Sequence, residues 1–457
     1  MKLVKSMLQT WKADLLMQKV IRNTGYLFSS NTIAMILGSA QGILAAIFLG
    51  PAGYGTLGMV IMLASSLNRL FSFRMGELVI KYGGQDLAVG NQQRAAAIVK
   101  VAFISEAITT VLAYLILIIT APLAAKLIIK DPAVVAMIAI YGVSLLFNLV
   151  NETSTAILQL GNHYRNQALV NLIQSITTAC LILIAFLRNG TVYDVMMAYL
   201  TGKAINGLGI FLFALSKMNA TFGKLWWRAP LRLIEKPWSM ARFAISTNLS
   251  GTINLIIRDS DVLWVGFFLS TEAGGYYKFA TGMMNVLLMP ITPFIATTFP
   301  EISRSIARRE WPVLRKLLSR TSGLAAFWTA ACTAGVLLFG RWGLSLIKGG
   351  VYLPSYEIIL ILMLGYGVAN ILFWNRPLML AFGEPNYPLL VTFLVGFAKI
   401  VLMFLLVPIF GVYGMAWLMT GYFGLSIGLI AIRGFTLMRN AQRLDVRPTV
   451  LTPEGLP

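Results

Sequence analysis

Ten ionisable side chains interrupt stretches of the sequence that are otherwise apolar. Six are basic and four are acidic: Arg69, Lys203, Arg258, Lys278, Arg376 and Lys399, and Glu106, Glu152, Asp259 and Asp261. An ionisable group in hydrocarbon is costly unless it meets a partner or a wet cavity. The chemistry that this set favours is binding of an anion, because the planar guanidinium of arginine holds phosphate oxygens with two parallel hydrogen bonds. A polar interior route is therefore expected.

The densest group of charges lies in the run RDSDVLW. Arg258 and Asp261 are three residues apart, which predicts that they share one face of a helix while Asp259 points elsewhere. Two interpretations follow from this spacing. Arg258 and Asp261 neutralise each other and hold helices together, or the basic groups line a cavity for an anionic substrate. Lys203 and Lys399 have a further alternative, because a long lysine side chain can reach the membrane interface from within a span.

The elements that must position these groups are membrane-spanning helices. Hydrophobic residues make up 58% of the 457 residues and charged residues 12%, with a mean hydropathy of +0.76, which is not typical of a soluble domain. Apolar runs of about 20 residues, the length that crosses a hydrocarbon core, recur along the chain. They predict an all-α polytopic membrane protein with twelve spans, near 26–49, 54–73, 98–124, 133–158, 166–187, 192–216, 243–269, 274–298, 321–347, 354–382, 387–410 and 412–434.

Basic residues near the ends of the spans predict the orientation, because they stay on the cytoplasmic side. The side that holds both termini carries 26 Lys and Arg residues, and the opposite side carries 5. Both termini are therefore predicted to be cytoplasmic, with an amphipathic segment at 1–25 and a tail at 439–457. The net charge of +20 is assigned to loops that face anionic membrane lipid, and binding of nucleic acid is not expected.

A repeated motif indicates an internal duplication. The stretch FLGPAGYGTLGM returns as FLSTEAGGYYKFATGM, so that Gly53 aligns with Gly275. Gly161 and Gly383 lie in a second pair of similar segments and are separated by the same 222 residues. Two segments that share one offset predict a duplicated six-helix unit, with repeats of the same orientation in the membrane.

The duplication predicts the domain organisation. Two pseudo-symmetric six-helix lobes are expected at 26–216 and 243–438, joined by a basic, tryptophan-rich linker at 217–242. The glycine-rich stretches are predicted to be tight turns, with Gly53, Gly55 and Gly275 as hinge positions about which the lobes move.

Four stretches together resemble a known family. FLGPAGYGTLGM, RDSDVLWVGFFLSTEAGGYYKFATGM, FPEISR and LQLGNHYRNQALV look like the polysaccharide transporter, Wzx-like branch of the multidrug/oligosaccharidyl-lipid/polysaccharide flippase superfamily. The resemblance covers nearly the whole chain in span order and loop length. It implies a MATE-like fold, in which two lobes surround a central cavity that opens alternately to the two sides of a bacterial inner membrane.

The resemblance also implies a function. Such proteins flip undecaprenyl-diphosphate-linked oligosaccharides from the cytoplasmic to the periplasmic leaflet, for O-antigen, capsule or exopolysaccharide synthesis. Asp261 and Lys278 match recurrent positions of the family pattern, whereas Ser270 departs from it and leaves the turn geometry there open. A lipid-linked oligosaccharide is the expected substrate, and a polysaccharide polymerase and chain-length proteins are the expected partners of a monomeric flippase.

Roles follow for the charged residues. The predicted substrate-binding residues for the diphosphate and sugar are Arg69, Arg258, Lys278 and Arg376, and the predicted ion-coupling or paired carboxylates are Asp261, Glu106 and Glu152. The 222-residue offset places Glu152 and Arg376 at nearly equivalent depth in the two lobes. They are therefore expected to pair when the cytoplasmic mouth is closed, and Arg376 is expected to hold the diphosphate when the mouth is open.

Other functions are weighed against this one. A cation-coupled multidrug exporter of the same superfamily would favour acidic groups in an apolar cavity, and a membrane polysaccharide polymerase or ligase would need a long outer loop. The chain has no Walker motif and no expected cofactor, so a proton or sodium gradient is the expected energy source. Cys180, Cys332 and the single histidine, His163, indicate neither a disulfide nor a metal site.

Overall fold

The structure is a computed structural model that describes residues 15–223, 225–235, 237–288 and 290–446. Every regular element in these ranges is helical. The α-helices, numbered in chain order, are α1 Leu15–Phe71, α2 Met75–Leu78, α3 Gly84–Ala88, α4 Gln92–Ala124, α5 Val135–Phe147, α6 Asn151–Leu160, α7 Tyr164–Leu187, α8 Val192–Phe222, α9 Pro237–Asn254, α10 Asp261–Phe268, α11 Thr271–Leu288, α12 Thr292–Ala307, α13 Trp311–Gly335, α14 Arg341–Leu346, α15 Ser355–Ile371, α16 Asn375–Ala381 and α17 Asn386–Val446.

Several of these helices continue through turns of a different pitch. Wider π-turns lie at Val79–Gly83, Ala125–Ile129, Leu255–Asp259 and Val336–Gly340, and 3-10 turns lie at Pro132–Val134, Trp226–Arg228 and Leu231–Leu233. Most of the predicted N-terminal amphipathic segment, and most of the predicted tail, lie outside the described residues.

The helices are long and apolar enough to cross a membrane. Eight stretches of the described chain meet this condition by length and composition. Two of them, Ser30–Ala88 and Asn386–Arg443, contain a glycine with non-helical backbone angles, so each holds more than one crossing. The prediction of an all-α polytopic fold is confirmed.

The first of these breaks lies at Gly50. Its φ of 72° and ψ of 175° are angles that glycine adopts without a steric penalty, and Pro51 follows as the first residue of the next helical run. The break in the helix within the first glycine-rich stretch is therefore confined to one residue, Gly50. Gly53 and Gly55 lie inside the helix that starts at Pro51, so their prediction as turn residues is wrong.

The repeated motif instead forms a helix crossing. Gly275 lies inside α11, and a Cβ atom added there would collide with the carbonyl oxygen of Pro51. A Cβ atom added at Gly55 would collide with the carbonyl oxygen of Thr271. Small residues let membrane helices approach this closely. The two copies of the motif therefore contact each other, which explains why both are rich in glycine.

The backbone angles support the duplication. Asn189, which follows α7, and Gly411, at the break in α17, both have left-handed backbone, with φ of 50° and 61°. They are separated by the same 222 residues that separate Gly53 and Gly275. A residue with positive φ thus recurs at equivalent points of the two repeats.

The chain divides by its internal contacts into two compact units, Met1–Gly275 and Tyr276–Pro457. In the first unit, a core cluster formed by α4, α6 and α8 includes Ala96, Ile157 and Met218, each at most 1% exposed. In the second unit, a cluster packs Trp374, which directly precedes α16, against residues of α13 and α17. Packing and repetition are different properties, so the lobe boundaries at 26–216 and 243–438 stay a prediction.

The predicted linker belongs to the first unit. Its two 3-10 turns contact α4, and Trp226 lies against Phe103 with the ring centroids 6.5 Å apart. Trp227 and Trp238 are 51% and 78% exposed. Exposed tryptophans suit the headgroup region of a membrane.

Candidate functional site

A cavity of about 550 Å³ lies within the first unit, where α1 ends and α6 begins. Its wall is formed by Asn68, Arg69, Ser72, Arg74, Gly76, Glu77, Ile80, Asn151, Glu152, Thr155, Ala156, Gln159, Asn248, Gly251, Asn254 and Asp259. Only two of these side chains are apolar. Amide side chains both donate and accept hydrogen bonds, which suits a ligand rich in hydroxyl groups, and arginines suit phosphate.

One carboxylate lies between two arginines at this cavity. The Oδ2 atom of Asp259 is 2.6 Å from Nη1 of Arg69, and its Oδ1 atom is 3.4 Å from Nε of Arg258. The side chains of Arg69, Arg258 and Asp259 are 58%, 50% and 32% exposed. The three groups are therefore paired but accessible, and a ligand anion can compete with the carboxylate for the guanidinium groups.

The prediction that Asp259 points away from Arg258 is wrong. Residues Leu255–Asp259 form a π-turn, and Ser260 then leaves the helix before α10 starts at Asp261. Helical spacing does not extend across such a break, because a π-turn adds a residue to the repeat. Asp261 itself is buried, with 4% of its surface exposed, as the first residue of α10.

A second break in the chain positions Arg74. Helix α1 ends at Phe71, and Arg74 has left-handed backbone with φ of 47° and ψ of 49°. Its Nη1 atom donates to Oε1 of Glu77 at 2.7 Å, and its guanidinium lies close to the backbone of Gly251 in α9. The guanidinium therefore reaches the cavity from the end of α1 and faces the helix that leads to Asp259.

Glu152 and Glu106 are linked through the start of α6. The two carboxylate oxygens of Glu106, which is 5% exposed, accept hydrogen bonds from the backbone N–H groups of Glu152 at 2.8 Å and Thr153 at 3.0 Å. N–H groups in the first turn of a helix have no partner within it. Glu106 thus satisfies the N-terminus of α6, which places the side chain of Glu152. That side chain accepts a hydrogen bond of 2.8 Å from Oγ of Ser72.

A smaller cavity extends the polar surface inward. Its volume is about 200 Å³, and it shares Asn68, Ser72, Asn151 and Glu152 with the larger cavity. Its other polar wall residues are Ser65, Glu106, Thr110, Tyr141, Ser144, Asn148, Lys203 and Asn206. Lys203 is exposed and lines this cavity, and the alternative that it reaches for the membrane interface stays a prediction.

Two of the predicted substrate-binding residues belong to the second unit. Lys278 lies half-buried on α11 and Arg376 lies exposed on α16. No carboxylate in the described part of that unit forms an ion pair with Arg376. The pairing of Glu152 with Arg376 stays a prediction.

Arg74, the role of Asp259 and the amide side chains of the cavity were not predicted from the sequence. Asn68, Asn248 and Asn254 all line the larger cavity. An uncharged amide in a span needs a polar partner or a water-filled cavity, as an ionisable group in an apolar run does. Asparagines within the predicted spans were the available signal.

The fold is that of a family of membrane transporters. An inward-facing multidrug resistance MATE transporter of the MOP superfamily matches with a TM-score of 0.68 and 14% identity, over 90% of this chain and 96% of that one. The lipid II flippase MurJ in an inward closed conformation matches with a TM-score of 0.70 and 13% identity, over 92% and 93%. A MOP superfamily transporter from Pyrococcus furiosus, whose binding pocket has reversed polarity, matches with a TM-score of 0.60 and 14% identity, over 94% and 96%. The MATE-like fold is thereby confirmed.

The chain belongs to the polysaccharide biosynthesis protein family, whose model matches residues 43–357. The inner membrane protein YghQ of Escherichia coli (strain K12) is 26% identical to it over 358 residues, which cover 76% of this chain and 98% of that protein. The family match and the fold confirm the resemblance to the polysaccharide branch of the superfamily. The chain is a multi-pass inner membrane protein.

Proposed function

We propose that the protein flips an undecaprenyl-diphosphate-linked oligosaccharide across the inner membrane by alternating access. The observation that carries this proposal is the polar cavity of the first unit, in which arginines and amides occur together. A diphosphate needs basic groups and an oligosaccharide needs paired donors and acceptors, and both are present on one wall. Membership of the polysaccharide biosynthesis family supports the same substrate class.

The paired state of the arginines gives a mechanism for coupling substrate to conformation. Before substrate enters, Asp259 holds Arg69 and Arg258. A diphosphate offers several oxygens to the same guanidinium groups and can take the place of the carboxylate. A ligand shifts a conformational equilibrium only through its different affinity for the two states. In this proposal, substrate binding separates Arg69, at the end of α1, from Asp259, on the π-turn after α9. The loaded state then differs from the empty state by the loss of this contact.

The carboxylates near the cavity provide candidates for ion coupling. Asp261, Glu106 and Glu152 are proposed to respond to a proton or sodium gradient, because carboxylates bind either ion. Glu106 also has the structural role at α6 described above. A change of charge at Glu106 would therefore be transmitted directly to Glu152.

A multidrug exporter for cationic drugs is the second candidate, and the cavity gives one observation in its favour. Three carboxylates line the wall against two arginines. Each of these carboxylates is already engaged, however: Glu77 with Arg74, Asp259 with Arg69, and Glu152 with Ser72. A cationic drug would have to compete with Arg69 for Asp259 and with Arg74 for Glu77. The displaced arginines would then repel the bound drug, because both carry positive charge. The anionic, sugar-bearing substrate is therefore favoured.

The test is transport by the Arg69→Gln variant in reconstituted vesicles. Translocation of a short-sugar undecaprenyl diphosphate is measured by its accessibility to an added enzyme on the outer face. Loss of the charge-assisted contact between Arg69 and the diphosphate is expected to weaken binding of the lipid roughly tenfold to a hundredfold. Arg165→Gln removes an equal charge outside the cavity and serves as the control. Normal transport by Arg69→Gln, or transport of cationic dyes in place of the lipid, would overturn the proposal.

A further inference from the structure

A second polar feature lies far along the chain, within the second unit. Two adjoining cavities, of about 710 Å³ and 360 Å³, open between the first turns of α13 and the last turns of α17. They share Arg315 and Gln442, so they form one groove. Nη2 of Arg315 donates to Oε1 of Gln442 at 3.3 Å, which joins the two helices within the groove.

The groove is strongly basic. Arg315 and Lys316 come from α13, and Arg439 and Arg443 come from α17. All four side chains are exposed, and no carboxylate of the described residues forms an ion pair with any of them. Arg439 and Arg443 are four residues apart on one helix, a spacing at which like charges repel. Within the described residues this positive charge is therefore not balanced by a carboxylate, and a bound anion would balance it.

The wall of the groove is packed firmly. Trp311, at the start of α13, is 8% exposed, and its ring is nearly parallel to that of Phe382 with centroids 6.4 Å apart. Met438, which directly precedes Arg439 on α17, is 5% exposed. The basic side chains are thus mounted on a rigid surface, and a ligand would not have to order it first.

An exposed apolar stripe leads along α17 into the groove. Leu425, Leu429 and Ile432 are 61%, 43% and 64% exposed, and their spacing places them on one face of the helix. The same face continues through Arg439 to Arg443. A ligand that matches this surface has an apolar chain of membrane length and an anionic head, which a free phosphate does not have.

We propose that this groove is a binding site for an anionic phospholipid, with the phosphodiester held by Arg315, Arg439 and Arg443 and one acyl chain along the stripe. Basic pockets between helices at the membrane surface recognise lipid headgroups in this way, and arginine binds phosphate oxygens with its fork of donors. The site is separate from the cavity of the first unit and does not depend on what that cavity transports.

The test is native mass spectrometry of the full-length protein in detergent, titrated with phosphatidylglycerol or with phosphatidylethanolamine of the same acyl chains. The double variant Arg439→Gln with Arg443→Gln is expected to bind phosphatidylglycerol about 25-fold more weakly, since each basic residue near an anionic lipid contributes about fivefold. Phosphatidylethanolamine is expected to bind weakly to the original protein and to the variant alike. The variant changes only exposed side chains, so it is expected to fold.

The control is Arg165→Gln with Arg308→Gln, which removes the same charge from exposed positions outside the groove. An equal loss in the control would show general attraction and overturn the proposal. Displacement of phosphatidylglycerol by soluble glycerol phosphate would show a site for free anions and would also overturn it. Arg69→Gln is expected to keep phosphatidylglycerol binding, so failure of the proposed transport function and failure of this site can be distinguished.

Discussion

The contact of Asp259 with two arginines allows a quantitative prediction for Asp259→Asn. The substitution keeps the shape of the side chain and removes the charge that holds Arg69 and Arg258. Because all three side chains are partly exposed, each ion pair contributes about 0.2–1 kcal/mol. Two pairs together contribute roughly 0.4–2 kcal/mol, and a substrate that must separate them loses that much binding free energy.

The variant is therefore expected to bind an undecaprenyl diphosphate ligand about twofold to 30-fold more tightly. Tighter binding is not expected to speed transport, because the arginines no longer change partners between the empty and loaded states. Affinity is measured by titration of the purified protein, and transport is measured in vesicles with the same lipid. Glu301→Gln is the matched control, because it removes the carboxylate of an Arg–Glu pair, 2.7 Å from Arg304, in the second unit.

Unchanged or weaker binding by Asp259→Asn would refute the reasoning, because the carboxylate would then not compete with the ligand. A double variant with Arg69→Gln adds a second check. If Asp259 acts by holding Arg69, most of the gain in affinity is expected to disappear when Arg69 is absent.

Three further predictions concern single positions. Glu106→Leu is expected to lower the thermal unfolding midpoint, because two N–H groups of α6 lose their acceptors at about 1–3 kcal/mol each, whereas Glu106→Gln keeps one of the two acceptors and is expected to lose less stability; a Gln variant as stable as the original protein but inactive would instead assign Glu106 to ion coupling. Gly275→Ala is expected to reduce the stability of the purified protein by about 1–3 kcal/mol, while Gly282→Ala in the same helix, which meets no atom within 4 Å, is expected to be tolerated; equal effects would contradict the close crossing. Arg376→Ala is expected to abolish polysaccharide export at a normal membrane level of the protein, and Arg376→Lys is expected to restore little of it because the fork of donors is lost; near-normal surface polysaccharide in Arg376→Ala cells would remove this residue from the site.

Hydrophobic periodicity and repetition were sufficient to predict the helical membrane fold. Length and composition alone define spans, because the backbone of a membrane protein must satisfy its own hydrogen bonds. Four charged residues near the cavities, Arg69, Arg258, Glu106 and Glu152, could also be predicted from the sequence, since a charge within an apolar run is rare enough to be informative.

The geometry of the site could not be predicted in the same way. The contact between Arg258 and Asp259 depends on a π-turn, which has no clear signature in the residues Leu255–Asp259. The position of Arg74 depends on a left-handed residue that is not glycine. Both features result from packing between distant parts of the chain, and local spacing rules do not contain that information.

The crossing of the two glycine motifs has a consequence for genetics. At Gly55 and Gly275 the atoms that occupy the space of a side chain are the carbonyl oxygens of Thr271 and Pro51. Every amino acid carries a backbone carbonyl oxygen. No substitution at Thr271 or Pro51 can therefore make room for a side chain at the facing glycine. Suppressors of a substitution at either glycine are therefore expected at positions that let a whole helix shift, and not at the facing residue.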